Sequence, residues 1–161
     1  MSASGSFGVN YKKVWDGVTI PLPAKVTDIG SCPEGEFMFV QADGAIDQYA
    51  FVVISAAGQA DMLTTTTATS GNKAVGIAQV AAADNEYLWV FIGGAAGAGT
   101  GSGIKGKYIN YTALANTNTT ATDGVADDAS TTLVKNVVGL TTVAGTATAV
   151  EVATTGLMVV N

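Results

Sequence analysis

Short runs of β-branched and aromatic residues, separated by turn-forming residues, recur along nearly the whole chain. Such runs predict β-strands, and the spacing typical of an amphipathic helix is weak throughout. Helical turns are plausible only near residues 45–49 and 125–129. The run at residues 87–92 is apolar on both faces, which indicates a central strand or an edge covered by a partner. The predicted strands are residues 26–29, 37–41, 49–55, 61–69, 75–80, 87–92, 107–114, 131–138, 140–143, 149–153 and 157–160.

One stretch of this pattern occurs twice. Residues 74–93 align with residues 137–156 at a constant offset of 63 without a gap, and the alignment places Gly76 over Gly139. Two copies of one small β unit explain this match better than chance alignment in a chain rich in Ala, Val, Thr and Gly. The sequence therefore predicts an all-β fold, a compact short-stranded β barrel or sandwich built from two tandem similar β units.

A second match extends the duplication upstream, because residues 49–53 align with residues 108–112 at an offset of 59. A chain of 161 residues can bury one ordinary core or two very small ones, and we expect one compact body with internal pseudo-symmetry. The start of the chain is rich in Gly and Ser and then carries two prolines, which predicts an extended arm. The predicted organisation is an N-terminal arm at residues 1–26, a first β unit at residues 27–98, and a second unit at residues 99–161 packed with the first.

The composition argues against an enzyme. Charged residues make up 12% of the chain, about half the average for a soluble domain, so much of the surface must be neutral and suited to close packing against neighbours. The chain has no histidine, no arginine and one cysteine, Cys32. A general base near neutral pH would have to be a carboxylate or a lysine, and a zinc site would lack its usual ligands. Since one cysteine cannot form an internal disulfide, we interpret Cys32 as a small buried filler.

Charge is distributed unevenly between the arm and the body. Residues 1–25 carry a local charge of +2, which leaves −8 on the rest of the chain. The acidic body argues against nucleic-acid binding, and Lys12 with Lys13 forms the largest lysine cluster. The first ten residues lack the apolar core of a secretory signal, and six glycines break the uncharged run after Ile92, which excludes a membrane helix there. We expect a soluble protein that binds neither nucleic acid nor a membrane.

The glycine-rich segment at residues 93–107 contains formal matches to two phosphate-binding motifs. Residues 101–106 fit GxGxxG, and residues 101–107 fit the GxxxxGK of a P-loop. Tyr108 stands where a Ser or Thr should hold magnesium, and the next segment is β-like although the motif needs a helix there. We interpret the segment as a linker between the two units and predict no nucleotide site.

Aspartates cluster around two Asp-Gly turns, with Asp43 and Asp47 at one and Asp123, Asp127 and Asp128 at the other. Carboxylates this close could coordinate calcium, but the alternate-residue spacing of an EF-hand loop is absent. We interpret them as solvated turn residues and predict no cofactor and no metal site. Nothing in the sequence fixes a carboxylate pair for glycoside hydrolysis, so we predict no catalytic residue.

Four residues of the predicted arm, Tyr11, Lys12, Lys13 and Trp15, form a candidate interface. An exposed aromatic residue flanked by cations is typical of an interface anchor. Trp15 could instead fold back onto the body, and the sequence leaves both alternatives open. Trp89 lies in an apolar strand and is assigned to the core.

Four elements of the first unit occur in a recognisable order. They are an Ala-Asp-Gly turn at residues 42–44, an apolar strand at residues 51–54, the Ala-Val-Gly-Ile-Ala segment at residues 74–78, and a strand that ends at Gly93. In this order they resemble the small capsid cement, or head decoration, proteins of tailed bacteriophages. The second unit departs from the pattern at Thr141, where the first unit has alanine, and at Glu151 within the final strand.

The resemblance implies a β-rich protein without catalytic activity that sits in many copies on the outer surface of a phage head. Such proteins bridge neighbouring major capsid subunits, and many form trimers. The expected function is therefore capsid decoration on the virion surface, with the major capsid protein and copies of itself as partners and a trimer favoured over a dimer. The expected capsid contacts are the four arm residues named above. The alternative is a tail or fibre adhesin that binds a host-surface glycan, which exposed aromatic residues in the Thr-rich loops would favour.

Overall fold

The computed structural model describes residues 9–68, 73–94 and 103–160, and this part of the chain is all β. It contains no helix, and so no helix that could cross a membrane. The all-β prediction is confirmed, whereas the helical turns expected near residues 45–49 and 125–129 are absent. The strands are β1 (Val14–Trp15), β2 (Ile29–Cys32), β3 (Gly35–Ala42), β4 (Phe51–Ile54), β5 (Gln59–Met62), β6 (Lys73–Ala78), β7 (Tyr87–Gly93), β8 (Lys105–Tyr108), β9 (Thr117–Thr119), β10 (Ala126–Asp127), β11 (Leu133–Gly139) and β12 (Thr148–Val160).

Most predicted strands are present with shifted ends, and the larger differences have physical causes. Residues 140–143 form a bend between β11 and β12, not a strand. The last two predicted strands, residues 149–153 and 157–160, form the single strand β12, because the backbone stays extended through Gly156. The strand expected at residues 61–69 ends at Met62, since the threonines after it close a turn in which the Thr67 hydroxyl accepts the N–H of Thr64 at 2.8 Å.

Strand pairing closes two rings. In the first, β3 pairs with β7 and, in parallel, with β5, while β4 joins β5 to β6, and β6 pairs with β7. In the second, β8 pairs with β12 and, in parallel, with β10, while β9 joins β10 to β11, and β11 pairs with β12. Because β12 also pairs with β6 and β7, it adds a sixth strand to the first ring. Of the predicted barrel or sandwich, the structure has the barrel, and the two similar units use one strand topology twice.

The shared topology corrects the sequence alignment of the two units. Ala78 ends β6 and pairs with Val90 of β7, and Gly139 ends β11 and pairs with Val152 of β12. Gly139 therefore corresponds to Ala78, and its alignment with Gly76 was wrong by two residues. A shift of two residues preserves the alternation of inward and outward side chains, so the apolar pattern alone does not reveal it.

The upstream alignment, which placed Tyr49 over Tyr108, was also wrong. The N–H of Tyr49 donates to the carbonyl of Ala78 at 2.7 Å, and the N–H of Leu114 donates to the carbonyl of Gly139 at 2.9 Å. Both donors have left-handed backbones, with φ of 65° and 67°. Tyr49 therefore corresponds to Leu114, in the turn that precedes the second strand of each unit.

The buried side chains form two clusters. One is aliphatic and lies within the first unit, where Val40, Val52 and Leu88 are fully buried. The other cluster joins the arm, the outer face of the first barrel and the second unit. In it, Phe51 of β4 meets the Tyr108 ring edge-on at 5.5 Å, and this contact crosses from one unit to the other. The two units therefore share a core, as the predicted single body requires.

Candidate interaction surface

The arm lies against the outer face of the first barrel. β1 pairs antiparallel with β7, Val14 opposite Leu88 and Trp15 opposite Tyr87. The indole of Trp15 is 6% exposed and packs edge-on against Phe39 at 5.6 Å. Of the two alternatives that the sequence left open for Trp15, the structure has the one in which the ring folds back onto the body.

Tyr11 is half-buried against the same face. Its ring stacks on Phe37 with centroids 4.8 Å apart, and its hydroxyl donates to the Glu34 carboxylate at 3.4 Å. Burial, together with the negative charge of Glu34, raises the pKa of Tyr11. The neutral phenol therefore persists as a hydrogen-bond donor in this contact.

Lys12 and Lys13 are the two predicted contact residues that reach the surface, and both are exposed. The Lys12 amine lies 5.9 Å from the ring centroid of Tyr11, and the Lys13 amine lies 5.4 Å from that of Trp15. Each cation therefore covers the outer side of an aromatic ring that is packed on the body. The arm presents positive charge to solvent and aromatic surface to the barrel.

The residues after β1 form an exposed aliphatic segment that the sequence pattern did not lead us to expect. All of residues 18–23, which we call the hook, are exposed, and Val18 is 88%, Ile20 47% and Leu22 37% exposed. The signal was present in the sequence as an aliphatic residue at every second position between Thr and Pro. An uncovered run of aliphatic side chains is typical of a contact surface for another protein.

Hydrogen bonds fix the two ends of the hook, and Ala24, which follows it, packs against the core. The Asp16 carboxylate accepts the N–H of Val18 at 2.8 Å and that of Thr19 at 2.9 Å, and also the Thr19 hydroxyl at 2.5 Å. These bonds, the Thr19 hydroxyl first, lower the pKa of Asp16 to about 2. Beyond the hook, Asp28 accepts the N–H of Lys25 at 3.0 Å.

Cys32 is half-buried beside the arm. Burial, with the hydrogen bond and the charge of Glu34, raises the pKa of its thiol to about 11. The thiol is therefore protonated at neutral pH, the state in which cysteine is a poor nucleophile. Its position agrees with a packing role for Cys32, although it is less buried than the sequence suggested.

The aspartates of the second turn cluster accept hydrogen bonds. Asp127 accepts the N–H of Ser130 at 3.0 Å, and Asp128 accepts the N–H of Thr112 at 2.7 Å. Within the described ranges, no three His, Cys, Asp or Glu side chains lie close enough to hold a metal ion. Residues 95–102 of the glycine-rich segment lie outside the described residues, and the next element in the chain is strand β8, where a P-loop needs a helix.

An open groove of about 800 Å3 runs along the first unit past Val53, Asp61 and Lys73. Burial, and then the charges of Asp43 and Asp123, raise the pKa of Asp61 in its wall. None of the described residues that line the groove is aromatic. The groove therefore lacks the flat apolar platform that a sugar ring stacks on.

No protein-family model, curated protein or solved structure matches this chain. The function is therefore inferred from the geometry of the arm, with its buried aromatic residues, exposed lysines and uncovered hook.

Proposed function

We propose that this protein is a structural decoration protein of a tailed-bacteriophage head, without catalytic activity. It binds the outer surface of the capsid and stabilises contacts between major capsid subunits. The observation that supports this proposal best is the uncovered aliphatic surface of the hook, at Val18, Ile20 and Leu22. Aliphatic side chains at these exposures gain free energy when another protein covers them.

The charge distribution adds support to the proposal. Lys12 and Lys13 are exposed a few residues before the hook on an otherwise acidic chain, so the side of the molecule that carries the arm has both apolar and positive surface. An acidic shell surface would attract that side and orient the protein on it. The low overall charge permits close packing of neighbouring copies.

Weak single contacts suffice for such a protein. A decoration protein contacts more than one neighbour, so each further contact forms at the high effective concentration that the first one creates. The hook and lysine contacts of each copy, to the shell or to a neighbouring copy, can therefore stabilise a shell when many copies act together.

A tail or fibre adhesin, the alternative function, has weaker support, because Tyr11 and Tyr49, which line a groove of about 480 Å3, are both half-buried. In residues 9–68, 73–94 and 103–160, every aromatic side chain is buried or half-buried. The larger groove, of about 800 Å3, has no aromatic residue among its described lining. We therefore favour decoration over glycan binding.

The first test is the copy number of this chain in purified virions of the source culture, measured by quantitative mass spectrometry against the most abundant shell protein. Near parity, or a simple fraction such as one third, supports decoration. A handful of copies per virion favours the adhesin, and absence from virions overturns both.

The second test measures binding of the purified protein to heads that lack it. Reversing both arm charges, with Lys12→Glu and Lys13→Glu, should lower occupancy and weaken its salt dependence, because exposed charges act through screened attraction. Lys135→Glu, at an exposed position of β11, is the matched control. Equal occupancy for all three proteins would exclude the lysines as shell contacts.

A further inference from the structure

The arm has two parts that relate differently to the body. Residues 9–15 contact the first barrel through the rings of Tyr11 and Trp15 and the β1–β7 pairing. The hook that connects this docked part to the body leaves its own side chains exposed. The docked part therefore holds its place by its own contacts, and the hook adds only the covalent connection.

We infer that, between two copies of this chain, the docked part of each arm lies on the first barrel of the other copy, and the two hooks pair with each other. In this exchange the partner of the hook is a second copy of the chain. The role of this exchange on the phage head rests on the proposed function. The exchange itself is a property of the isolated protein and can be measured without heads.

The length of the connection allows the exchange. Residues 17–24 include the hook and can span roughly 27 Å when fully extended, at about 3.4 Å per residue. Pro21 and Pro23 favour an extended backbone in this segment. Straightening this segment releases the contacts of Gly17 with Tyr87 and of Ala24 with the core, but leaves both barrels folded.

The prolines also limit the assembly to two copies. In an extended strand, backbone N–H groups point alternately to the two edges, so Pro21 and Pro23 remove donors from one edge while Ile20 and Leu22 keep theirs on the other. One edge of the hook can pair with a second hook, and the opposite edge cannot pair with a third. Antiparallel pairing of two identical hooks has twofold symmetry and closes at a dimer.

The balance between the closed and the exchanged form is set within and beside the hook. All contacts of residues 9–15 with a barrel are the same in both forms, because the barrel surfaces are identical. In the closed form, the hook aliphatic residues stay in water and the Asp16 carboxylate holds the chain reversal at Val18 and Thr19. In the exchanged form that reversal opens, and the aliphatic residues of two hooks cover each other. High local concentration on a capsid surface favours the exchanged form.

A cysteine pair distinguishes the two forms directly. A Cβ on Gly30 would contact the Val9 side chain, so Val9→Cys and Gly30→Cys, in a Cys32→Ser background, lie within disulfide reach across the arm–barrel contact. After oxidation of the full chain, exchange predicts disulfide-linked dimers on a non-reducing gel and a doubled mass in light scattering. A disulfide confined to monomers at every concentration between about 1 and 100 µM would overturn the inference.

Variants without engineered cysteines provide an independent measurement. Asp16→Ala removes the acceptor that holds the chain reversal and should raise the dimer association constant by about tenfold. Val18→Ser, Ile20→Ser and Leu22→Ser together should abolish the dimer, whereas Ile29→Ser, another exposed aliphatic position outside the hook, should not change it. A dimer that survives the triple hook change also overturns the inference.

The outcomes separate this inference from the proposed function. A monomer that binds heads and loses binding when the hook is changed would make the shell the partner of the hook, so exchange fails and decoration stands. If the protein forms the exchanged dimer in solution but is absent from virions, the exchange stands and decoration fails.

Discussion

The carbonyl oxygen of Gly156 lies so close to Gly93 that it leaves no room for a Cβ there. The N–H of Gly94 donates to the same carbonyl at 3.2 Å, and Leu157 pairs with Gly93 across the strands. From this point β12 also pairs with the first barrel, since Val159 pairs both with Ala74 of β6 and with Lys135 of β11. The close approach of the two glycines is therefore what allows one strand to belong to both barrels.

We expect Gly93→Ala to lower the free energy of unfolding by about 3 kcal/mol or more, because a methyl group meets backbone and φ is +103°. Gly44→Ala is the matched control: its φ is +94°, but no described atom lies within 4 Å of the new Cβ. The control should cost only about 1–2 kcal/mol, the backbone term. Urea unfolding followed by tryptophan fluorescence measures both, and equal losses would contradict a tight crossing.

Trp15 fixes the arm to the body, so Trp15→Ala should lower the free energy of unfolding by about 3–5 kcal/mol, the usual range for a buried aromatic residue. Val18→Ala, three residues later and exposed, should change it by less than about 0.5 kcal/mol. Deleting the whole arm would uncover Phe37 and Phe39 as well. If both point substitutions were equally harmless, the arm would not be part of the folded body.

Tyr108 and Thr117 share a buried hydrogen bond of 2.9 Å. Thr117→Val keeps the shape but leaves the tyrosine hydroxyl without this partner, and should cost about 1–3 kcal/mol. Adding Tyr108→Phe removes the hydroxyl that has lost its partner and should restore most of the lost free energy of unfolding. Chemical unfolding of the single and double variants measures this recovery. Additive losses would show that the two groups do not depend on each other.

Alkaline pH should destabilise this protein through its buried tyrosines. Burial raises the pKa of Tyr108 well above its ordinary value of 10.0, and it raises that of Tyr111 as well. Above pH 10 the unfolded chain releases these protons while the folded chain keeps them, so the stabilising contribution is intact below pH 10 and falls above it. The expected slope is about 1.4 kcal/mol per pH unit for Tyr108. Tyr108→Phe should make the decline between pH 10 and 11.5 shallower, and an unchanged slope would contradict the assignment.

The sequence predicted the strands whose apolar residues alternate or run continuously, such as β3, β4, β6 and β7, because their own side chains enter the core. It missed β9, whose Thr117, Asn118 and Thr119 are buried although none is apolar. Their burial depends on partners such as the Tyr108 hydroxyl, which lie elsewhere in the chain. A local pattern contains no information about such partners. The misalignment of the two units has a different cause, because a shift of two residues keeps the same alternation of inward and outward side chains.

The candidate surface shows the same limit. Lys12 and Lys13 are exposed, as their charge suggests, but the position of Trp15 depended on whether an aromatic face existed to receive it. Phe39, Tyr87 and Trp89 form that face only after β3 and β7 pair. The hook was overlooked because aliphatic residues in a sequence predict burial, and here they are exposed.

Phe51 and Gly106 give the most direct test that the two units fold as one body. A Cβ on Gly106 would lie 2.9 Å from two ring carbons of Phe51, so the second unit leaves room for a side chain of the first. Gly106→Ala should cost about 1–3 kcal/mol through overpacking. In the Phe51→Leu background the ring atoms are gone, so the same change should cost less, with a coupling free energy of at least about 0.5 kcal/mol in a double-mutant cycle. A coupling of zero, measured by urea unfolding, would mean that the two barrels fold without this contact between them.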